Sequence, residues 1–125
     1  MAGRVNGLAA GVYRYRPHAH ELAAGVAGDR REALAVAALN QEWVAHGSVV
    51  LVISAVYERT TRKYGKRGER YVHIEVGHAA QNILLRATSL QLGSVMVGAF
   101  DDAEVARVLE LPKGERALAL IPVGR

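Results

Sequence analysis

The sequence predicts one domain of mixed α and β structure, and three observations predict it. Residues 48–57 (SVVLVISAVY) are a β-branched apolar run of strand length. Residues 72–92 carry apolar side chains at helical spacing for about six turns. Residues 116–123 (RALALIPV) read as a further strand. With a short strand over 94–97 and a helix opened by Asp101, the second half runs β–α–β–α–β, the order of a mixed α/β packing. A chain of 125 residues is one domain on length, and its 50% hydrophobic content supports a core.

Each element has its own warrant. The first ten residues are small and weakly patterned and predict a loose start. Residues 11–16 (GVYRYR) predict a short strand, 17–20 a turn and 21–26 the returning strand of a hairpin. Asp29 with Glu32 three residues on is a capping box, opening a helix through Leu34 and Ala38. Residues 40–45 predict a second short helix carrying Trp43. The 48–57 strand is apolar on both faces, as in a sheet covered on both sides. A basic loop follows.

In the 72–92 helix, Val76, Ala80, Ile83, Ala87 and Leu90 form one stripe, and Ala79, Leu85 and Leu92 occupy the other side. A helix apolar nearly all round is central in a fold or buried by a second subunit. Gly93 is placed to end it at C′. After the 94–97 strand, residues 98–100 turn, and Asp101 with Glu104 caps a helix carrying Val105, Val108 and Leu109. That helix stops at Leu111-Pro112. Lys113-Gly114 turns into the last strand.

Composition excludes several classes. Cysteine is absent, so no disulfide, thiolate metal site or cysteine nucleophile is available. The longest apolar run is too short to span a bilayer as a helix. No secretory signal is readable, so a cytoplasmic location and no membrane partner are expected. The net charge of +4 resides in residues 58–70, where six basic residues face two acidic ones. One basic segment on a neutral body indicates a local anion site or a solvated loop. A nucleic-acid partner is not expected, because such domains are more often basic over a whole face.

The glycines at 93 and 98 lack the GK[ST] ending of a phosphate loop, and no G-x-G-x-x-G follows a strand. By themselves they read as a helix cap and a tight turn. His18 and His20 fall on one face of a strand. His73 and His78 lie about 140° apart on a helix and do not converge. No H-E-x-x-H is present, so no metal site is expected. Ser54 and Ser94 lack a G-x-S-x-G elbow. Lys63-Tyr64, within RTTRKYGKRG, is the pair with chemical interest. Nearby positive charge disfavours a further ammonium and favours a phenolate, which suits either group to move a proton. The alternative is a solvated basic loop with an incidental aromatic residue.

The segments GVYRYRPHAHEL, QEWV, SVVLVISAVY, RKYGKRGERY, GHAAQN, LGSVMVGAF and ALALIPVGR, in that order, resemble the nitroreductase superfamily of FMN oxidoreductases, and most its SagB-type branch, the thiazoline/oxazoline dehydrogenases. The resemblance runs from about residue 11 to 125. It implies an α+β flavoprotein fold with a mixed sheet, here its C-terminal portion, and a long central helix at a homodimer interface. It further implies an oxidoreductase with hydride transfer through flavin N5, acting on a small-molecule or peptide azoline or taking NAD(P)H as reductant. Lys63 and Tyr64 match the family's Lys-Tyr pair for proton removal. Gly93, Ser94, Val95, Met96, Val97, Gly98 and Ala99 match the loop beside the isoalloxazine ring, where small residues allow close approach. Arg125 matches a basic residue that contacts the FMN phosphate. The family's R-x-S-x-R signature is not in this sequence. The expectation is therefore an N-terminally truncated relative that binds FMN weakly, with a non-catalytic dimeric remnant or binding module of the same fold as the alternative.

Overall fold

The computed structural model describes residues 1–125. Its layers are organised by β5 (Arg116–Gly124), whose Ala117, Ala119, Leu120, Ile121 and Val123 are all buried. Alternation sends these side chains to two faces. Leu120 enters a core with Val50, Val97, Leu34, Val44 and Val105, and Ile121 and Val123 enter a second with Ala80 and Ala87. β3 (Val49–Ala55) pairs antiparallel with β5 from Val49↔Val123 to Ala55↔Arg116, with a register shift between Ile53 and Ser54. The two-residue β4 (Gly93–Ser94) pairs antiparallel on the other side, giving the order β3–β5–β4. Pro122 is tolerated in this central strand because Val50, opposite it, turns its own N–H away to Met1 O.

The helices cover both faces. α1 (Arg31–Ala37), α2 (Glu42–His46) and α5 (Asp102–Leu109) pack on the Leu120 side, and α4 (Arg67–Ser89) on the Ile121 side. α3 (Glu58–Tyr64) packs against the start of α4. β1 (Gly11–Arg16) and β2 (Glu21–Ala27) form an antiparallel hairpin. The fold is α+β, as expected, and no helix is long and apolar enough to cross a membrane.

Several local expectations are corrected. The first residues are not loose: Met1 and Ala2 are buried, and Ala2 bridges both Gly11 and Val49. Asp29 does not close a capping box with Glu32. The helix starts at Arg31, whose backbone N–H and guanidinium both donate to the Asp29 carboxylate, while Arg31 also donates to Gly47 O. A buried guanidinium claims the cap. Those hydrogen bonds from Arg31 hold the Asp29 carboxyl below its ordinary range. β3 is not covered on both sides: only Val50 is buried, and Leu51 is 39% exposed, because β3 is an edge strand.

The basic segment is not a loop. It folds as α3 and the first turn of α4, so the long helix begins at Arg67. α4 ends at Ser89, and Gln91, not Gly93, takes the left-handed conformation (φ 56°), leaving Gly93 for β4. The 94–97 strand shrinks to β4 and a single bridge of Val97 to Leu120. His18 and His20 lie in the hairpin turn, not on a strand face. Asp101 does cap α5, accepting from Glu104 N–H at 2.9 Å. The box stays half closed, since Glu104 turns to Arg107 and Asp101 N–H goes to Ala37 O.

Candidate functional site

The loop after β4 is tethered at three points. Gly93–Ser94 pair with Gly124 and Val123 at its entry. Val97 exchanges both backbone hydrogen bonds with Leu120, at 2.8 and 3.0 Å, in its middle. Gln41, just before α2, donates from Nε2 to both Ala99 O and Ala38 O at 2.8 Å, and Asp101 N–H reaches Ala37 O at its exit. Between the tethers, the N–H groups of Val95, Met96, Gly98 and Ala99 have no backbone acceptor. Val95 and Met96 are 44% and 42% exposed, and a Cβ built on Gly98 would meet nothing within 4 Å. A rigid backbone with open donors is a ready partner for the polar edge of a flat ligand. Arg125 follows Gly124, so the β4–β5 pairing sets an exposed cation beside the loop's first residues.

Lys63 and Tyr64 sit in the last turn of α3, both exposed. Lys63 Nζ lies 5.2 Å from the Tyr64 ring centroid, and Tyr64 stands edge-on to Tyr71 of α4 at 5.2 Å. Their helix is held by a close approach. A Cβ on Gly68 would fall 2.9 and 3.0 Å from the Thr61 backbone. Gly68, Tyr71 and Gln41 carry no pattern of their own in the sequence; only contacts between elements reveal them.

The structure does not bring the two groups of residues together within one chain. Lys63-Tyr64 precede α4 and the loop follows it. The twenty-three residues of α4, about 33 Å of helix, lie between them in the chain, and no hydrogen bond or ring contact joins Lys63 or Tyr64 to the loop. Neither of two main concavities joins them. One of about 730 Å³ lies between the hairpin and β3 and contains none of these residues. A second, polar concavity of about 450 Å³ beside α3 is lined by Tyr57, Glu58, Thr61, Glu69, His73 and Arg116. There Tyr57 Oη and His73 Nε2 are 2.6 Å apart, and burial pushes the Tyr57 phenol above its ordinary range.

Comparison with known proteins shows the family and the fold. The model of the nitroreductase family matches residues 4–125. A protein of Methanocaldococcus jannaschii named as a nitroreductase is 51% identical over 121 residues. That match covers 97% of this chain and 60% of the relative, so the chain spans about three-fifths of the relative's length. A structure from Anabaena variabilis described as a nitroreductase superposes with a TM-score of 0.94 at 33% identity, covering 99% of this chain and 26% of that one. The NADPH:FMN oxidoreductase of Vibrio harveyi, solved in complex with NAD+, superposes with a TM-score of 0.65 at 29% identity, covering 77% of this chain and 45% of that one.

Proposed function

The chain belongs to the nitroreductase family, and from that membership we propose that it acts as an FMN-dependent oxidoreductase of the SagB-type dehydrogenase branch. The observation that carries the proposal is the tethered loop, whose unpaired amides and open Gly98 fit the edge of an isoalloxazine ring. Bound FMN would supply a two-electron hydride acceptor at N5. The chain's own residues do the rest. The amides of Val95, Met96, Gly98 and Ala99 would donate to the ring's polar edge. Gly98 and Ala99 would leave room for its approach. Arg125 would offer positive charge to the phosphate. Gln41 keeps the loop in place by holding Ala99 O. Lys63 or Tyr64 takes the substrate's proton in azoline oxidation, whereas reduction by NAD(P)H needs no such base.

Because Lys63-Tyr64 precede α4, the loop follows it and no contact joins them in one chain, the complete site of this reading takes a second copy. We place Lys63 and Tyr64 of the partner subunit beside the loop of the first, with α4 at the interface.

The test is an FMN titration followed by visible absorption and flavin fluorescence. One FMN per chain is expected, with weak affinity. Gln41→Ala should weaken it about tenfold, the loss of roughly one well-formed hydrogen bond. No spectral change at millimolar FMN would overturn the reading in favour of a non-catalytic module.

A further inference from the structure

α3 carries Lys63 and Tyr64 but cannot orient them by itself. It has seven residues and buries none of them, and an isolated helix shorter than about 12–15 residues is marginal in water. Gly65, at φ 57°, ends it directly after Tyr64. Tyr64 is 46% exposed, so its ring changes rotamer freely unless another element holds it.

α4 supplies the hold. Val72 and Val76 are buried, which fixes the first turns of α4 to the body of the fold. Tyr57, Thr61 and Tyr64, spaced by four and three, make one stripe along α3. Each of them meets α4. Tyr57 Oη lies 2.6 Å from His73 Nε2, and the Thr61 backbone closes on Gly68. Tyr64 stands edge-on to Tyr71, with ring centroids 5.2 Å apart and 87° between the planes. The first two contacts place the helix, and the third holds a reactive side chain. Its geometry is the T-shaped one that aromatic pairs prefer. Lys63 Nζ in turn lies 5.2 Å from the Tyr64 ring centroid, within cation–π range. Tyr71 thus supports the ring of Tyr64, and that ring supports the ammonium of Lys63.

We propose that Tyr71 is the positioning residue of the Lys63-Tyr64 pair. Its ring fixes the plane of Tyr64 and, through that plane, the place of the Lys63 ammonium. This role rests on the reading of Lys63-Tyr64 as the proton-removing pair and adds the residue that orients it. The contact is between rings, so Tyr71→Phe keeps it and Tyr71→Leu removes it. Tyr71 orients a reacting group without binding substrate, so its loss lowers kcat and leaves KM unchanged.

The first measurement needs neither flavin nor turnover. NMR of the chain labelled at tyrosine gives the ring signals of Tyr64, assigned by their loss in Tyr64→Phe. Ring current from residue 71 should displace them in wild type and in Tyr71→Phe. In Tyr71→Leu they should return to the position of a free tyrosine. Signals that stay in place in Tyr71→Leu would overturn the proposal. The second measurement is turnover with added FMN and a phenylthiazoline carboxylate ester as substrate. Tyr71→Leu should lower kcat about two- to tenfold, the equivalent of one aromatic pair, and Tyr71→Phe should match wild type. Equal loss in both variants would assign the effect to the hydroxyl, and an unchanged kcat in Tyr71→Leu would leave a packing contact only. Weaker FMN binding in Tyr71→Leu would show that Tyr71 acts on assembly of the site. Each of these overturns the positioning role while the pair's own role stands. Failure of the underlying reading looks different. If wild type does not oxidise the thiazoline, or the double variant Lys63→Ala/Tyr64→Phe loses nothing, the pair leaves the chemistry and the role of Tyr71 goes with it.

Discussion

The Glu115 carboxylate joins three strands: it precedes β5, accepts from Ser54 Oγ on β3, and pairs with Arg14 of β1 at 2.9 Å. Burial alone would raise its pKa; the hydrogen bonds from Ser54 and Arg14 outweigh burial and hold it below the ordinary value. A carboxyl depressed in the folded state stabilises above the unfolded pKa, near 4.5, and loses that contribution as pH falls through the folded value. Glu115→Gln should therefore cost about 1–2 kcal/mol at pH 7 and flatten the acid side of the stability profile. Urea midpoints from pH 7 to 3 check this, and an unchanged pH slope in the variant would refute it.

Lys63 and Tyr64 make the complementary case. They are exposed and make no contact that the fold depends on, so Lys63→Ala and Tyr64→Phe should leave the Tm nearly unchanged. If the chain is an azoline dehydrogenase, as proposed, that oxidation should fall by ~10²–10⁴-fold while flavin reduction by NAD(P)H is little affected. Assaying both half-reactions with added FMN decides it: equal loss in both, or loss in neither, removes the proton-transfer role. The pair stands out in the sequence because a Lys-Tyr dipeptide among cations is a chemical pattern. Gln41 does not, because a glutamine that holds a distant carbonyl leaves no local trace.

At the scale of elements, what could be read from sequence follows from how each element is buried. β1, β3 and β5 show strand patterning, and α5 shows a cap and an apolar face. α3 buries no residue at all, so no periodicity could announce it, and its basic side chains read as a loop. Its stability comes from packing on α4 at Gly68. Alanine at 68 would gain up to ~1 kcal/mol of helix propensity. It would also drive a Cβ into the Thr61 backbone, and such overpacking costs ~1–3 kcal/mol. The clash wins because backbone cannot swing aside. Gly68→Ala is expected to lower stability, read as a lower urea midpoint, and to displace Lys63-Tyr64. A second change, Thr61→Ser, should not rescue it, since the backbone atoms at 2.9 and 3.0 Å remain. Restoration by Thr61→Ser would show that the side-chain Cγ2 was the obstacle.

For the molecule as a whole, the apolar surface left open on one chain is the central fact. Only 26 of 125 residues are buried, although half are hydrophobic. The all-round apolarity of the long helix, visible in the sequence, divides into two faces. Val72, Val76, Ala80 and Ala87 turn inward, and Ala80 and Ala87 meet Ile121 and Val123 of the chain's own sheet. The stripe that periodicity selects is thus an internal one, and an Asp at Ala80 would unfold the chain instead of dissociating it. The outward face carries Tyr71, Ile74 and Leu85, which are 39%, 46% and 59% exposed, with Gly77 open beside them. Spacings of three and eleven residues keep Ile74 and Leu85 on the same side of the helix as Tyr71 and Ile74 respectively. In a lone chain, Leu85→Asp would change little, because an exposed side chain costs little to replace. In a dimer packed through this face, the same change would bury an unpaired carboxylate and separate the subunits. The expected outcome is that wild type sediments at twice the protomer mass at micromolar concentration. Leu85→Asp should sediment as a monomer with unchanged far-UV circular dichroism, and its FMN affinity should fall with the loss of the second copy. A folded wild-type monomer under these conditions would break the link between α4 and the site, because nothing within one chain carries Lys63-Tyr64 across the length of α4 to the loop.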